Sequence, residues 1–322
     1  MIITRTPFRV SLAGGGSDLR EFYSKNGYGA VVSAAINKYM YIAIHPYFHD
    51  KIRIKYSKTE DVGSVEDVQH PIVRECLKKV RIGRGVEIAS FADVPAGTGL
   101  GSSSSFTVGL LNALYAYTGK VVSKERLAQE ACEIEIDILG EPIGKQDQYA
   151  AAYGNINYIR FNKDETVDTS PMLLTELVRK KLEDSLCLYH IGGERKSGDI
   201  LQEQKHNISV DAKFQNLKKM VALADGLREA LHNEKIDVVG DTLHKGWLYK
   251  KELASGISNS DIDALYNKAI KAGANGGKLL GAGGTGFLLL YAKDHNNLRK
   301  HLGCRALPFG IDREGTKIIF YE

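Results

Sequence analysis

A glycine- and serine-rich stretch constrains this chain more than any other feature of its sequence. Asp93–Phe106 reads DVPAGTGLGSSSSF, follows an apolar run typical of a β-strand, and leads into a helical pattern that ends at Gly119. We expect a serine to cap this helix, whose first N–H groups have no partner within the helix. Glycine amides, hydroxyls and the positive end of the helix dipole would then face one point, which predicts a phosphate site. Taken alone, the stretch also fits a plain strand-to-helix connection.

The stretch is not the common P-loop, in which a Gly-Lys pair is followed by Ser or Thr. The chain has Gly-Lys pairs, but the residues that follow Lys120, Lys145 and Lys278 are Val, Gln and Leu. A nucleotide bound to this chain would therefore be held by a different kind of loop.

The hydrophobic patterns predict a mixture of strands and helices. β-rich runs and helical patterns share the first half, whereas the second half is mostly helical with strands predicted in SLCLYHIG, GFLLLYA and TKIIFYE. A chain of 322 residues is long for one hydrophobic core. We therefore predict an α+β chain of two domains, residues 1–168 and 169–322, joined near a polar link.

Composition excludes several classes of protein. The net charge is only +4 and no long run of like charges occurs, which argues against partners such as nucleic acid or a membrane surface. The N-terminus carries Arg5, Pro7 and Arg9 where a signal peptide needs an apolar core, and the longest uncharged helical pattern is too short to span a bilayer. The cysteines are far apart, without a CxxC pair, which predicts reduced thiols in the cytoplasm. We expect a monomer or a homodimer.

Two further stretches place charged residues beside glycines. In FRVSLAGGGSDL, Arg9 lies on a predicted strand that runs into three glycines, and Asp18 follows them. In LGEPIGKQDQYAAAYG, Asp147 lies beyond a Gly-Glu-Pro turn at the start of a helical pattern. Each aspartate alone would be read as a helix cap. Together with the serine loop, they point to a site for a phosphorylated ligand.

Three ordered motifs resemble those of the GHMP kinases, the family of galactokinase and of homoserine, mevalonate and phosphomevalonate kinases. They are TPFRVSLAGGGSDL, PAGTGLGSSSS and KLLGAGGTGFLLL, and the likeness covers nearly the whole chain. The resemblance implies a two-domain kinase fold with ATP and the substrate in a cleft between the domains. Within the family, GGGSD, QHPIVRE and GGERKSGDILQEQ look like the branch that phosphorylates heptose 7-phosphate.

The second motif of this family wraps the ATP phosphates. The resemblance therefore implies a nucleotide-binding loop made of Pro95, Gly97, Gly99, Leu100, Gly101, Ser102, Ser103 and Ser104. It also implies an Mg²⁺ ion held by the Ser103 hydroxyl and by Glu135, which lies five residues before Gly140.

The resemblance assigns the reacting groups as well. Asp147, in a G-x-P-x-G-x-x-D-Q pattern, matches the essential aspartate, and Arg9 matches the basic residue near the transferred phosphoryl group. Substrate binding falls to both of these residues and to Gly15, Gly16, Ser17, Asp18, Gly283 and Gly284. GGGSD replaces the GEHTD of galactokinase, which argues against galactose as the substrate.

The physical chemistry of phosphoryl transfer agrees with these roles. The reaction spreads negative charge that cations must stabilise, and the acceptor hydroxyl needs a carboxylate in reach of its proton. The third-motif glycines have two readings: a tight turn before a buried strand, or a backbone that closes over the site.

A basic pair, Arg195 and Lys196, begins a predicted helix, where cations are unfavourable without an anion partner. We expect it to bind a phosphate that the substrate already carries, with a solvated face as the alternative. His45 and His49 lack a third ligand and are read as surface residues rather than a metal site.

The sequence thus predicts an ATP- and Mg²⁺-dependent kinase acting on the anomeric hydroxyl of a small-molecule sugar phosphate. The alternatives are another sugar kinase of this family, for fucose or galacturonate, and a sugar sensor that keeps the fold without activity. A complete serine loop together with Arg9, Glu135 and Asp147 favours an enzyme.

Overall fold

The computed structural model describes residues 1–192 and 198–322, and these form two β-sheets with helices packed around them. The larger sheet contains β1 (Ile2–Ala13), β2 (Tyr28–Pro46), β3 (Ile52–Lys55), β4 (Thr59–Val62), β5 (Val86–Ala92), β6 (Ile156–Asn162), β7 (Val167–Pro171) and β12 (Lys317–Tyr321). The smaller sheet contains β8 (Leu186–His190), β9 (Ala274–Leu279), β10 (Phe287–Ala292) and β11 (Arg305–Pro308). The mixed α and β structure predicted from the sequence is confirmed.

Strand order shows which strands lie at the centre of each sheet. The larger sheet runs β12-β1-β2-β5-β3-β4, with β6 paired to β2 and β7 to β6, and the smaller runs β11-β8-β10-β9. Most of these neighbours are antiparallel, and β3 with β5 is a parallel pair. The first four residues of β1 alternate between buried and half-buried, whereas every residue from Thr6 to Ala13 is buried. The end of β1 is therefore covered on both faces.

The helices of the described residues follow in chain order. They are α1 (Arg20–Asn26), α2 (Pro71–Val80), α3 (Ser102–Tyr117), α4 (Lys124–Cys132), α5 (Gln146–Tyr153), α6 (Glu176–Ser185), α7 (Gly198–Asn207), α8 (Asp211–His232), α9 (Val238–Lys251), α10 (Ser260–Lys271) and α11 (His295–Leu302). Ser123 caps α4, because its hydroxyl accepts a hydrogen bond from the Arg126 N–H. A π-helical turn, Glu133–Ile138, directly follows α4.

The start of α3 differs from the sequence prediction. The residue before the helix is Gly101, in the left-handed region at φ 75°, and no side chain caps the helix. The predicted serine cap is therefore wrong. Because the turn at Gly101 already sets the helix direction, all four serines fall inside the first turn.

The segment around Asn37 lies inside the single long strand β2. Its pairing with β1 shifts register between Pro7 and Phe8. Pro7 has no N–H to give to the ladder, and a register shift lets β2 continue past it.

The predicted domain boundary between residues 168 and 169 falls inside β7, which pairs with β6 of the larger sheet. β12, at the C-terminal end of the described chain, also returns to this sheet and pairs with β1. Buried side chains of both predicted domains form one continuous core. Pairing between segments so far apart in sequence leaves no local pattern, so the sequence alone could not reveal it. The division into two domains itself stays a prediction.

Candidate active site

Segments far apart in sequence meet in one cleft. They are the first-motif loop (Gly14–Asp18) after β1, the glycine/serine loop (Pro95–Ser104) before α3, the start of α5, and the third-motif loop (Leu280–Gly286) between β9 and β10. Because β1 and β9 belong to different sheets, the cleft lies where loops from the two sheets meet. All four segments contain a stretch that the sequence analysis selected.

The charged pair at the centre of the cleft is Arg9 with Asp147. Nε and Nη2 of Arg9 each donate a hydrogen bond of 2.6 Å to a different carboxylate oxygen of Asp147. Nη1 donates to the carbonyl oxygen of Gly99, also at 2.6 Å. The Arg9 side chain is 6% exposed and that of Asp147 21%. The pair therefore ties β1, α5 and the glycine/serine loop together, and only the carboxylate opens appreciably to the cleft.

The glycine/serine loop turns its backbone toward the cleft. Gly97, Gly99 and Gly101 have φ of 75°, 81° and 75°, a conformation that glycine adopts without strain. The first amides of α3 belong to Ser102, Ser103 and Ser104 and have no partner within the helix. These glycines and serines line the cleft. Amides at a helix start, where the dipole is positive, can bind a phosphate group.

Two predicted loop residues support this backbone from behind and do not line the cleft. The carbonyl oxygen of Pro95 accepts a hydrogen bond from the Thr98 hydroxyl at 2.9 Å. The carbonyl oxygen of Leu100 accepts one from the Arg9 N–H at 3.0 Å. Both residues therefore position the loop by backbone contacts.

The predicted metal ligand Glu135 is fully buried in the π-helical turn. Its carboxylate accepts hydrogen bonds from the Ser103 hydroxyl at 2.6 Å and from Nε2 of Gln148 at 2.8 Å. Burial raises the pKa of the Glu135 carboxyl to about 7, although both hydrogen bonds act in the opposite direction. The structure thus joins the two residues assigned to one ion, Ser103 and Glu135.

The first-motif loop places Asp18 against the start of α5. Its carboxylate accepts hydrogen bonds from the N–H of Gly16 at 2.9 Å and from the N–H of Gln146 at 3.3 Å. Burial, and then the charge of Asp147, raise the pKa of the Asp18 carboxyl. Asp18 lines the cleft together with Gly15 and Gly16.

The structure does not bring Ser17, a predicted substrate ligand, to the cleft. Its hydroxyl donates to the carbonyl oxygen of Ala30 at 2.9 Å and accepts from the Ala30 N–H at 3.0 Å. Both bonds fix the first-motif loop to β2. The hydroxyl has its partners in the backbone, and Ser17 is absent from the residues that line the cleft.

The third-motif loop packs backbone against backbone on the glycine/serine loop. A Cβ on Gly281 would overlap the Cα of Gly99, and a Cβ on Gly99 would lie 2.7 Å from the carbonyl oxygen of Leu280. Gly283 lines the cleft, whereas the N–H of Gly284 donates to the Ile257 carbonyl oxygen at 3.0 Å. Glycine is needed at these positions because the two loops approach each other closely. This approach also places the backbone of the third-motif loop at the cleft.

Two lysines that the sequence analysis did not assign to the site lie in the cleft. Nζ of Lys250, on α9, donates to the carbonyl oxygens of Leu279 and Gly281. Burial lowers the pKa of Lys278, on β9, to about 8, and burial with the charge of Lys278 lowers that of Lys250 well below its ordinary value. Lys278 is the first residue of the third motif, KLLGAGGTGFLLL, and this position was the available signal for it. Lys250 lies in an amphipathic helical pattern, and no feature of the sequence there indicated a site residue.

The remaining predictions concern the basic pair and the histidines. Arg195 and Lys196 lie outside the described residues. In the part of the chain that the structure describes, no group of three or more His, Cys, Asp or Glu side chains could hold a metal ion. His45 contacts Glu87 at 3.3 Å, at a partly exposed position.

Comparison with known proteins identifies the family. Residues 71–155 match the sequence profile of the GHMP kinases N terminal domain. Residues 227–307 match that of the GHMP kinases C terminal domain, so that the two matches cover just over half of the chain. The chain belongs to the GHMP kinase family. Its glycine/serine loop lies inside the first match, and its third-motif loop inside the second.

Relatives that match the chain along nearly its full length include sugar kinases. The chain is 29% identical to a D-glycero-alpha-D-manno-heptose 7-phosphate kinase of Campylobacter jejuni, over 98% of each chain. A putative sugar kinase of Campylobacter jejuni is 28% identical, with a TM-score of 0.74 over 98% of this chain and 97% of that one. A D-glycero-D-manno-heptose 1-phosphate kinase from Bacteroides thetaiotaomicron shares the fold, at 24% identity and a TM-score of 0.82 over the whole of both chains.

The GHMP kinase fold predicted from the sequence is thus confirmed, and as a member of this family the chain is an ATP-dependent phosphotransferase. Within the described residues, no helix is both long enough and apolar enough to cross a membrane.

Proposed function

We propose that this GHMP kinase transfers the γ-phosphoryl group of ATP to the anomeric hydroxyl of D-glycero-D-manno-heptose 7-phosphate, giving the 1,7-bisphosphate. The observation that carries the proposal is the Arg9–Asp147 pair, held in a cleft between a glycine/serine loop and an acidic first-motif loop. The likeness to a heptose 7-phosphate kinase over 98% of the chain supports the substrate. Such a product would feed the synthesis of nucleotide-activated heptose for surface polysaccharide, in the cytoplasm.

Asp147 acts as the general base. Each of its carboxylate oxygens accepts one hydrogen bond from Arg9 and retains a lone pair for a further partner. The carboxylate is the part of the pair that opens to the cleft, so it can accept the proton of an acceptor hydroxyl. An anomeric hydroxyl is more acidic than an ordinary sugar alcohol, which suits a carboxylate as its base.

Arg9 balances the charge of the reaction. Its guanidinium is anchored by Asp147 and by the Gly99 carbonyl oxygen, so it cannot turn away from the cleft. A fixed cation beside the acceptor stabilises the charge that spreads over the phosphoryl oxygens, at no cost of reorganisation. The triphosphate itself is assigned to the amides and hydroxyls at the start of α3, on the glycine/serine loop.

Mg²⁺ fits the residues assigned to it. Ser103 and Glu135 supply a hydroxyl and one carboxylate, which suits an ion that proteins hold by one or two carboxylates plus substrate phosphates. Oε1 of Gln148, beside Glu135, is buried without a hydrogen-bond partner among the described residues. When bound, Mg²⁺ would neutralise phosphate charge.

Asp18 and the first-motif glycines would receive the sugar. The Asp18 carboxylate lines the cleft and is held by backbone N–H groups, so it can accept hydrogen bonds from sugar hydroxyls without moving. Gly15 and Gly16 carry no side chains and line the cleft beside Asp18. The domains would be residues 1–168 and 169–322, with this cleft between them.

The test is release of ADP by the purified protein with ATP, Mg²⁺ and a panel of sugars. The panel contains D-glycero-D-manno-heptose 7-phosphate, unphosphorylated heptose, galactose, fucose and galacturonate. We expect the highest kcat/KM with heptose 7-phosphate and a product phosphorylated at the anomeric oxygen. A higher kcat/KM with fucose, galacturonate or another unphosphorylated sugar would contradict the substrate, and absence of ADP release with every sugar would contradict an active kinase.

A further inference from the structure

Lys278 is a buried cation that has no ion-pair partner among the residues that the structure describes. The residue is 3% exposed, and its ammonium group makes neither an ion pair nor a hydrogen bond to any other described residue. Arg9, which repels it, is already paired with Asp147. Asp18 attracts it but is not within ion-pair distance, and its carboxylate is hydrogen-bonded to backbone N–H groups. A buried charge left in this state is costly unless an anion joins it.

Polar atoms from four elements surround the bare backbone of Gly15 and Gly16. From the point where a Cβ of Gly15 would lie, the Ser11 hydroxyl oxygen is 3.3 Å away, Nε2 of Gln146 3.8 Å and Nζ of Lys278 3.9 Å. Nε2 of Gln204, from α7, is 2.5 Å from the corresponding point on Gly16. Any side chain at these two positions would occupy the space that the polar atoms face.

Not all of these polar atoms have a hydrogen-bond partner among the described residues. The Ser11 hydroxyl oxygen is buried and bonds to no other described residue, whereas Nε2 of Gln146 donates a long hydrogen bond of 3.5 Å to Oδ1 of Asp18. Ser11 and Gln204 are 6% and 4% exposed, and all four side chains line the cleft. Buried polar groups in folded proteins are nearly always paired, so unpaired ones lining a cleft indicate a missing ligand.

We propose that Lys278, together with Ser11, Gln146 and Gln204, binds the phosphate group that the sugar substrate already carries. One ammonium, two amides and one hydroxyl are donors that suit the oxygens of a phosphate, and a cation strengthens such bonds. This inference rests on the proposed sugar phosphate substrate.

The position of this phosphate subsite separates it from the site of ATP. The triphosphate is assigned to the glycine/serine loop at the start of α3, whereas the subsite lies on the first-motif loop beside Asp18, which we assign to the sugar. Lys250 is the other buried lysine, but its ammonium group bonds to the carbonyl oxygens of Leu279 and Gly281 and so holds the third-motif loop. Of these two buried lysines among the described residues, Lys278 is therefore the one left for the acceptor.

The experiment compares the wild-type enzyme with Lys278→Met, using heptose 7-phosphate and unphosphorylated heptose. Losing one charge-assisted contact should raise KM for heptose 7-phosphate roughly tenfold to a hundredfold, while KM for ATP stays unchanged. KM for the unphosphorylated sugar should stay near its wild-type value, so the preference for the phosphorylated sugar should shrink. Calorimetric titration with heptose 7-phosphate in the absence of ATP should show the same loss of affinity.

Two further variants accompany it. Ser11→Ala removes a single neutral contact and should raise the same KM by roughly twofold to tenfold, with little risk to folding. Lys293→Met makes the same replacement at an exposed lysine beyond β10 and should change neither KM. Melting curves of all variants check that each one is folded.

The outcomes separate the two proposals. If the wild-type enzyme shows no preference for heptose 7-phosphate over heptose, the proposed substrate is wrong and this inference is overturned with it. If the wild-type enzyme has the preference and folded Lys278→Met keeps it in full, only the phosphate subsite is wrong. Should Lys278→Met fail to fold, an unchanged KM in Ser11→Ala overturns the subsite, and a raised KM supports it.

Discussion

Replacement of Asp147 by Asn tests the centre of the proposed mechanism. The change keeps the size of the side chain and one oxygen that can accept a hydrogen bond from Arg9, but it removes the negative charge and one of two bonds of 2.6 Å. Asn cannot accept the proton of the acceptor hydroxyl. The variant therefore loses the base while the cleft keeps nearly the same shape.

Two effects of different size should follow. Loss of a general base lowers turnover by a factor of about 10² to 10⁴, equivalent to at least about 2.7 kcal/mol of activation free energy. Loss of one partner from a fully buried ion pair costs about 3 to 5 kcal/mol of stability. Here Asp147 is one-fifth exposed and Arg9 keeps its bond to Gly99, so we expect about 1 to 3 kcal/mol. For a chain of this length that lowers the melting temperature by a few degrees.

The measurements are kcat by ADP release, the ATP dissociation constant by calorimetry, and the melting temperature. We expect kcat to fall at least about a hundredfold with ATP affinity nearly unchanged, because Asp147 does not lie on the glycine/serine loop. Asp241→Asn is the matched control, since Asp241 also lies in the first turn of a helix, α9, but is exposed. Near-normal turnover of folded Asp147→Asn would refute the assignment and leave Asp147 as a structural partner of Arg9.

Three further changes test other parts of the site. Glu135→Gln should raise the Mg²⁺ concentration needed for half-maximal activity without weakening sugar binding, since we assign its carboxylate to the ion; an unchanged Mg²⁺ titration would remove it from the site. Gly281→Ala should destabilise the protein by more than ~2 kcal/mol, because φ is 69° and the new Cβ would overlap Gly99. Gly303→Ala, with φ 67° and no atom within 4 Å of the new Cβ, should cost only ~1 to 2 kcal/mol. Equal melting temperatures for the two alanine variants would contradict the loop contact. Finally, affinity for heptose 7-phosphate, measured by calorimetry, should fall as the pH rises through about 8, where Lys278 loses its charge. Because the pKa of Lys278 is lowered on folding, its contribution to the stability of the ligand-free protein should rise over the same range, toward its ordinary pKa of 10.5. Lys278→Met should lack both trends, and the same pH dependence in this variant would rule out Lys278 as their source.

The sequence by itself determined the parts of the site that local geometry governs. A glycine loop between a strand and a helix follows from the order of residues around Asp93–Phe106, because glycine conformation and helix ends depend on a few neighbours, although the predicted serine cap was wrong. The order of three motifs was enough for the family. Arg9, Asp18 and Asp147 were identified as site residues because they lie beside glycines in motifs of that family.

The tertiary structure decided which of these residues meet, and what else joins them. The bonds between Arg9 and Asp147 span 138 positions, and the contact between Gly99 and Gly281 joins loops from the two sheets. Ser17 looked like a ligand by its place in the motif, yet packing of the loop against β2 turned its hydroxyl to Ala30. Lys278 entered the cleft because its strand belongs to the second sheet, whose position follows from packing of the shared core. Distances between remote segments are set by that packing, so no short pattern in the chain could have encoded them.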